Sequence, residues 1–153
     1  AAIMHDVGKI SIPDAILSKP GRLTPEEFEI MKTHTTQGGQ LLERIPQMRE
    51  LTFFTYAYDI AKYHHERWDG RGYPEGRKGD DIPLWAQIVS IADVYDALVS
   101  PRCYKKAFSF EVALGMIVSG ECGVFNPNIL ACFREIEGKL RTLYGSGPER
   151  LYE

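Results

Sequence analysis

Four histidines stand out in this 153-residue sequence because of where they fall: His5 beside Asp6, His34 alone, and His64 beside His65. A further carboxylate, Asp93, sits among Ile88, Ile91, Ala92 and Tyr95, where an acid is costly unless its charge is compensated. Its neighbour Asp96 repeats the oddity. Imidazole and carboxylate donors together suit zinc, iron, manganese or nickel, with no thiolate needed. Adjacent residues on a helix point about 100° apart, so each doublet reaches toward ions lying side by side rather than chelating one. Two-metal sites of that kind clamp the attacking and leaving oxygens of phosphate ester hydrolysis. Any one of these histidines, taken singly, is more often a hydrogen-bonded core or surface residue. The doublets and the acid together favour the metal reading.

Basic residues supply the complementary charge. Lys9 follows the His5-Asp6 doublet by one helical turn, Arg67 and Arg71 flank a glycine-rich stretch, and Arg102, Lys105 and Lys106 follow the Asp93 segment. Converging on a metal cluster, they would neutralise a phosphodiester; dispersed, they are solvated surface charge. Trp68 and Tyr73 within the glycine stretch could stack on a base or pack the loop against the domain.

The elements that must position these groups read as helices. Thr24-Pro25-Glu26-Glu27 is a helix start, with Thr as N-cap, Pro at the first position and Glu27 where a capping box needs it. That helix is expected to end near Thr33, with another running through Leu42. A third is expected over about 49–66, and one with a buried face from Leu84 to about Ser100. Two more follow, from about Phe110 to Val118 and from Pro127 to Tyr144. Residues 7–22 read as an irregular crossing loop. Residues 68–83 carry four glycines and read as a long ordered loop, a kind usually functional.

Composition sets the frame. The chain is 44% hydrophobic and 25% charged, the balance of one ordinary folded domain. No apolar run approaches the roughly 20 residues needed to span a bilayer, and no signal-peptide pattern opens the chain. A net charge of −3 argues against a nucleic-acid polymer as partner but leaves a local anion site open. Cys103, Cys122 and Cys132 form no C-x-x-C pair; they read as small buried hydrophobes in a reducing cytoplasm. The opening residues Ala1 to Asp6, apolar and without a cap, read as the last turn of a helix that begins upstream.

The motifs carry a resemblance. His5-Asp6-Val7-Gly8-Lys9-Ile10, followed by Ile12-Pro13-Asp14, is similar to the HD region of the HD-GYP family. His64-His65-Glu66-Arg67-Trp68-Asp69-Gly70-Arg71-Gly72-Tyr73-Pro74 resembles that family's most distinctive segment, and Ile91 to Leu98 resembles its third signature. The match is clearest over 1–133 of a domain taken to fill 1–153. The resemblance implies an all-α HD-domain helical bundle holding two or three divalent metal ions, iron or manganese. It implies ligands His5, Asp6, His34, His64, His65 and Asp93, with Asp6 bridging. Asp6 and Lys9 would be catalytic, Lys9 and Tyr73 would face substrate, and Arg102 and Lys105 would contact a guanine or phosphate. The implied reaction is bacterial signalling chemistry, the opening of cyclic di-GMP to pGpG and onward to GMP.

Three departures qualify it. The family's upstream helix, which supplies a further histidine and in some members a glutamate, does not precede His5 here; an incomplete metal centre is therefore expected. A second chain covering Ile3 and Met4, as in a homodimer, is expected with it. Residues 101–105 replace the family's Arg-Pro-Tyr-Lys run, and Asn126 replaces an Asp. The competing reading is a signalling module that binds cyclic di-GMP or a GGDEF-domain partner without turnover, with 72–74 as docking surface. A third is an HD hydrolase acting on other nucleotides.

Overall fold

The computed structural model describes residues 1–101 and 107–145, with side chains through 142. Every described element is helical. Short 3-10 turns at Ala2–Met4 and Val7–Ser11 lead to α1 (Asp14–Leu17) and α2 (Pro25–Glu43). Then come α3 (Pro46–Arg49), α4 (Phe54–Tyr63), a 3-10 turn at Gly79–Asp81, α5 (Leu84–Val99), α6 (Phe110–Ser119) and α7 (Pro127–Gly145). The 7–11 turn packs on α2, α2 on α4, α4 on α5, and α5 on α6 and α7.

The start of α2 follows its local chemistry. Thr24 Oγ1 accepts the Glu27 amide at 3.3 Å, Glu27 accepts the Thr24 amide at 2.7 Å, and Lys19 pins the same carboxylate at 2.6 Å. The break expected near Thr33 does not occur. Thr33 and Thr35 turn their hydroxyls back onto the carbonyls of Ile30 and Lys32, at 2.7 and 2.9 Å. Gly38 and Gly39, poor helix formers, are kept in the helix by tertiary packing. A Cβ on Gly38 would lie 3.3 Å from the Gly8 nitrogen, and one on Gly39 would lie 3.1 Å from the Tyr58 ring.

The third expected helix is also shifted. Pro46 starts a separate single turn, so α4 begins only at Phe54, and it ends at Tyr63 rather than Glu66. The chain leaves the helix at His64, whose Nδ1 donates to the Ile60 carbonyl at 2.8 Å. Residues 7–22, expected to be irregular, hold the 7–11 turn and α1.

Two apolar clusters fix the frame. Leu42, Ala57 and Ala61 join α2 to α4, with Met4 and Val7 packed against them. Ile91, Tyr95, Leu98, Val99, Ala113, Ile117, Phe125 and Phe133 join α5 to α6 and α7. Burial of this kind stabilises by about 25 cal/mol per Å² of apolar surface. Ile88 and Ala92, expected inside, line a groove of about 520 Å³ between α5 and α7. Asn126 accepts the Asn128 amide at the start of α7 and donates to Gln87, both at 2.9 Å, so its role is a structural turn. Cys132 is exposed rather than buried, and Cys122 is half-buried.

Candidate metal centre and active site

The site forms where the 2–11 turns, α2, the end of α4 and α5 meet. Neither doublet lies inside a helix, contrary to expectation. His5 and Asp6 fall between two 3-10 turns, while His64 and His65 follow the last turn of α4. A turn frees successive side chains from the helical 100° spacing and lets both members of a doublet face one centre.

All six expected ligands come together. His5 Nε2 lies 3.3 Å from Asp6 Oδ2 and 3.6 Å from Asp93 Oδ1. Asp6 Oδ1 lies 3.5 Å from His34 Nε2 and 3.9 Å from His64 Nε2. The two Nε2 atoms of His34 and His64 are 3.5 Å apart. His65 joins through ring nitrogens that place His34, His64 and His65 within 4.8 Å of one another. Asp6 thus divides its carboxylate: Oδ1 serves the His34–His64 pair and Oδ2 serves His5.

Backbone carbonyls set the imidazole orientations. Nδ1 of His5, His34 and His64 donates to the carbonyls of Ala2, Met31 and Ile60, at 2.9, 2.7 and 2.8 Å. Such bonds fix the tautomer and aim Nε2 inward, as in metal-binding histidines generally. Burial pushes the pKa of His64 down to about 4 and lowers those of His34 and His65. These imidazoles are therefore neutral at pH 7. His34 and His64 then point two lone pairs at each other beside the Asp6 carboxylate, with no proton between them. That arrangement is repulsive when empty and favourable around a cation. The donor set fits a divalent metal.

The remaining charges agree. Hydrogen bonds to Asp6 and Asp93 raise the His5 pKa to about 10, so a proton bridges it to both acids when no metal is bound. Burial raises Asp6, but the bonds from His5 and Lys9 outweigh it and hold the carboxyl well below its usual range. Burial likewise raises Asp93, and the His5 bond overcomes it. Lys9 reaches the centre, its Nζ donating to Asp6 Oδ2 at 2.6 Å.

The glycine loop closes one side. Tyr73 stacks on His65 with ring centroids 4.7 Å apart, and its amide donates to the His65 carbonyl at 3.2 Å. Gly72 makes this possible: a Cβ there would lie 2.4 Å from the Arg67 nitrogen and 2.5 Å from the His65 oxygen. Glu66, only 3% exposed, accepts the amides of Glu75 and Arg77 at 2.8 and 3.0 Å and ties the loop to the histidine segment. It was missed in the sequence, where the flanking histidines drew the attention. Its one signal was an acid adjoining a metal-type histidine doublet.

Several expected residues lie elsewhere. Arg67 spends its guanidinium on Ser90 Oγ at 2.7 Å and on the carbonyls of Glu66 and Cys122 at 3.0 and 3.3 Å. These bonds make it a brace for the loop. Arg71 is 88% exposed and pairs with Asp69 at 3.7 Å. Asp96 is exposed and accepts the Ser100 hydroxyl at 3.1 Å. Trp68 joins the loop to Val124 and Gly79 through backbone bonds of 2.9 and 3.0 Å. Arg102, Cys103, Lys105 and Lys106 lie outside the described residues.

Comparison with known proteins matches this helical architecture. A family model described as HD domain matches residues 1–129. The chain belongs to the HD-domain family, and to its HD-GYP type. It is 46% identical over 140 residues to a cyclic di-GMP phosphodiesterase of Vibrio cholerae, covering 91% of this chain and 28% of that protein. To a cyclic di-GMP phosphodiesterase of Thermotoga maritima it is 46% identical over 144 residues, covering 94% of this chain and 38% of that one. The crystal structure of a cyclic GMP-AMP specific phosphodiesterase from V. cholerae matches with a TM-score of 0.58 at 20% identity, over 94% of this chain and 38% of that one. That last likeness speaks for the fold. The chain spans about a third of the length of these relatives. Among the described residues no helix is long and apolar enough to cross a membrane.

Proposed function

We propose that this domain is the catalytic core of a metal-dependent phosphodiesterase that hydrolyses cyclic di-GMP to pGpG, using two or three iron or manganese ions. The carrying observation is the divided Asp6 carboxylate, one oxygen toward His34 and His64 and the other toward His5. A carboxylate split in this way suits two adjacent cations and gives each its own imidazoles. His34, His64 and His65 would hold one ion, His5 and Asp93 would serve a second, and Asp6 would join them.

A bound divalent metal supplies Lewis-acid polarisation of the phosphoryl oxygens and a nucleophile at neutral pH. The chain's own groups do the rest. The carbonyls of Ala2, Met31 and Ile60 keep the imidazoles turned inward. Lys9 places a mobile ammonium at the rim, where it can move from Asp6 to a phosphoryl oxygen and offset charge as the bond breaks. Tyr73 covers His65 and narrows the mouth. A cytoplasmic setting accompanies this reading, where cysteine thiols stay reduced.

The test is anaerobic incubation of the full-length protein with cyclic di-GMP and manganese or ferrous iron, following pGpG release alongside metal content. Stoichiometric metal with pGpG release is the expected result. Tight cyclic di-GMP binding without turnover by the metal-loaded protein would leave the binding-module reading in its place.

A further inference from the structure

Beside the centre, α2 carries an aromatic side chain that the metal chemistry does not use. Phe28 is 46% exposed, its ring edge-on to Tyr73 with centroids 6.2 Å apart and an interplanar angle of 85°. One turn later, the Lys32 ammonium lies 5.7 Å from the Phe28 centroid and 5.8 Å from that of Tyr73. Lys32 also pairs with Glu29 at 2.7 Å, a carboxylate 68% exposed, and such surface pairs hold their partners weakly. Tyr73 links this group to the centre through its stack on His65.

Tyr73 itself is already engaged through its stack on His65. Phe28 is the aromatic beside the centre whose ring remains substantially open. A phosphodiester held at the imidazole cluster must place its flanking nucleoside along one wall. The wall formed by Phe28 and Lys32 offers what a purine needs: a π-surface for stacking and a cation at the ring's edge. Guanine presents O6 and N7 as adjacent acceptors, whereas adenine sets an amino donor beside N7, so a lysine favours guanine.

We propose that Phe28 and Lys32 form a nucleobase subsite next to the metal centre, with Phe28 as stacking platform and Lys32 as donor to the acceptor edge of a guanine. The inference rests on the cyclic dinucleotide reading above and adds to it the side on which a base is held.

The test compares steady-state turnover of cyclic di-GMP by the metal-loaded full-length protein and its Phe28→Ala, Phe28→Trp and Lys32→Met variants. Phe28→Ala is expected to raise KM about fivefold or more, the low end of what base stacking contributes, with a much smaller change in kcat. Phe28→Trp is expected to restore KM. An unchanged KM in Phe28→Ala, or a loss of kcat that Trp does not rescue, overturns the subsite. GMP is expected to inhibit more strongly than AMP, and Lys32→Met to erase that preference; equal inhibition of the wild type by both overturns the role of Lys32. If the wild type leaves cyclic di-GMP intact, the activity reading falls by itself. Calorimetric titration with cyclic di-GMP then decides the subsite: weaker binding by Phe28→Ala upholds it, and equal or absent binding in both proteins overturns it.

Discussion

Gly8 lies so close to α2 that a Cβ on it would stand 1.9 Å from the His34 carbonyl oxygen and 2.5 Å from the Gly38 nitrogen. This contact brings the turn bearing His5 and Asp6 against the helix bearing His34. Both obstructing atoms are backbone, so neither can rotate aside. Gly8→Ala is therefore expected to destabilise the protein by about 3 kcal/mol, the upper part of the usual range for overpacking. It should also lower metal content by parting Asp6 from His34. Urea denaturation with chelator present, beside metal analysis of the purified variant, checks both effects. Native stability with full metal would mean that the turn slides freely over α2.

Much of the centre could be read from the sequence because doublets and a misplaced acid are local signals. His5-Asp6, His64-His65 and Asp93 announced themselves by type and neighbour, and the structure brings them together with His34. What stayed hidden depends on long-range contact. The uninterrupted α2 owes its passage through Gly38-Gly39 to Gly8 and Tyr58, which are distant in sequence. Arg67 looked like a phosphate ligand because nothing local reveals Ser90 and Cys122 as its partners. The Glu66 bonds run nine and eleven residues ahead, into a loop without periodicity.

Glu66 gives a prediction about that loop. Its carboxylate accepts two backbone amides, and hydrogen bonds to a charged group contribute about 1.5–3 kcal/mol each. Glu66→Ala should free the Glu75 and Arg77 amides and speed their hydrogen exchange by about tenfold or more relative to wild type. Amides within α5 should be far less affected. Glu66→Gln, keeping one acceptor oxygen, should fall between. Unchanged protection at both amides would show that the loop is held by the outer Lys62–Glu75–Arg77 ion pairs instead.

The metal-free protein should lose stability on both sides of neutrality, for opposite reasons. Burial holds the His64 pKa at about 4, and His34 and His65 shift the same way. An unfolded histidine titrates near 6.5, so between those values the unfolded chain binds more protons than the folded one. The stabilisation is complete above about pH 6.5 and drains as pH falls toward 4, by up to about 3 kcal/mol from His64. His5, raised to about 10 by Asp6 and Asp93, does the reverse. Its contribution is complete below about pH 6.5 and is lost as pH climbs through 10. Urea midpoints across pH in chelator would trace both limbs. His64→Gln should flatten the acid limb alone; an unaltered acid limb would contradict the burial argument.

Asp6 and Lys9 touch through a 2.6 Å bond, yet their losses should differ in kind. Among the described residues, Asp6 is the one carboxylate within reach of His5, His34 and His64 together. Asp6→Ala should therefore release metal and abolish hydrolysis of cyclic di-GMP. Lys9 offers no lone pair while it is protonated, so Lys9→Ala should retain metal. That variant loses only a cation that can follow the phosphoryl charge, and removing one such donor typically costs about 10²–10³ in rate. The fall should appear in kcat, because the interaction strengthens as charge develops in the transition state. Metal content and initial rates of pGpG release, measured together for each variant, separate the two roles. Near-native turnover by the Asp6 variant would remove that carboxylate from the mechanism, and metal loss in the Lys9 variant would make the lysine a support for Asp6 rather than a participant in catalysis.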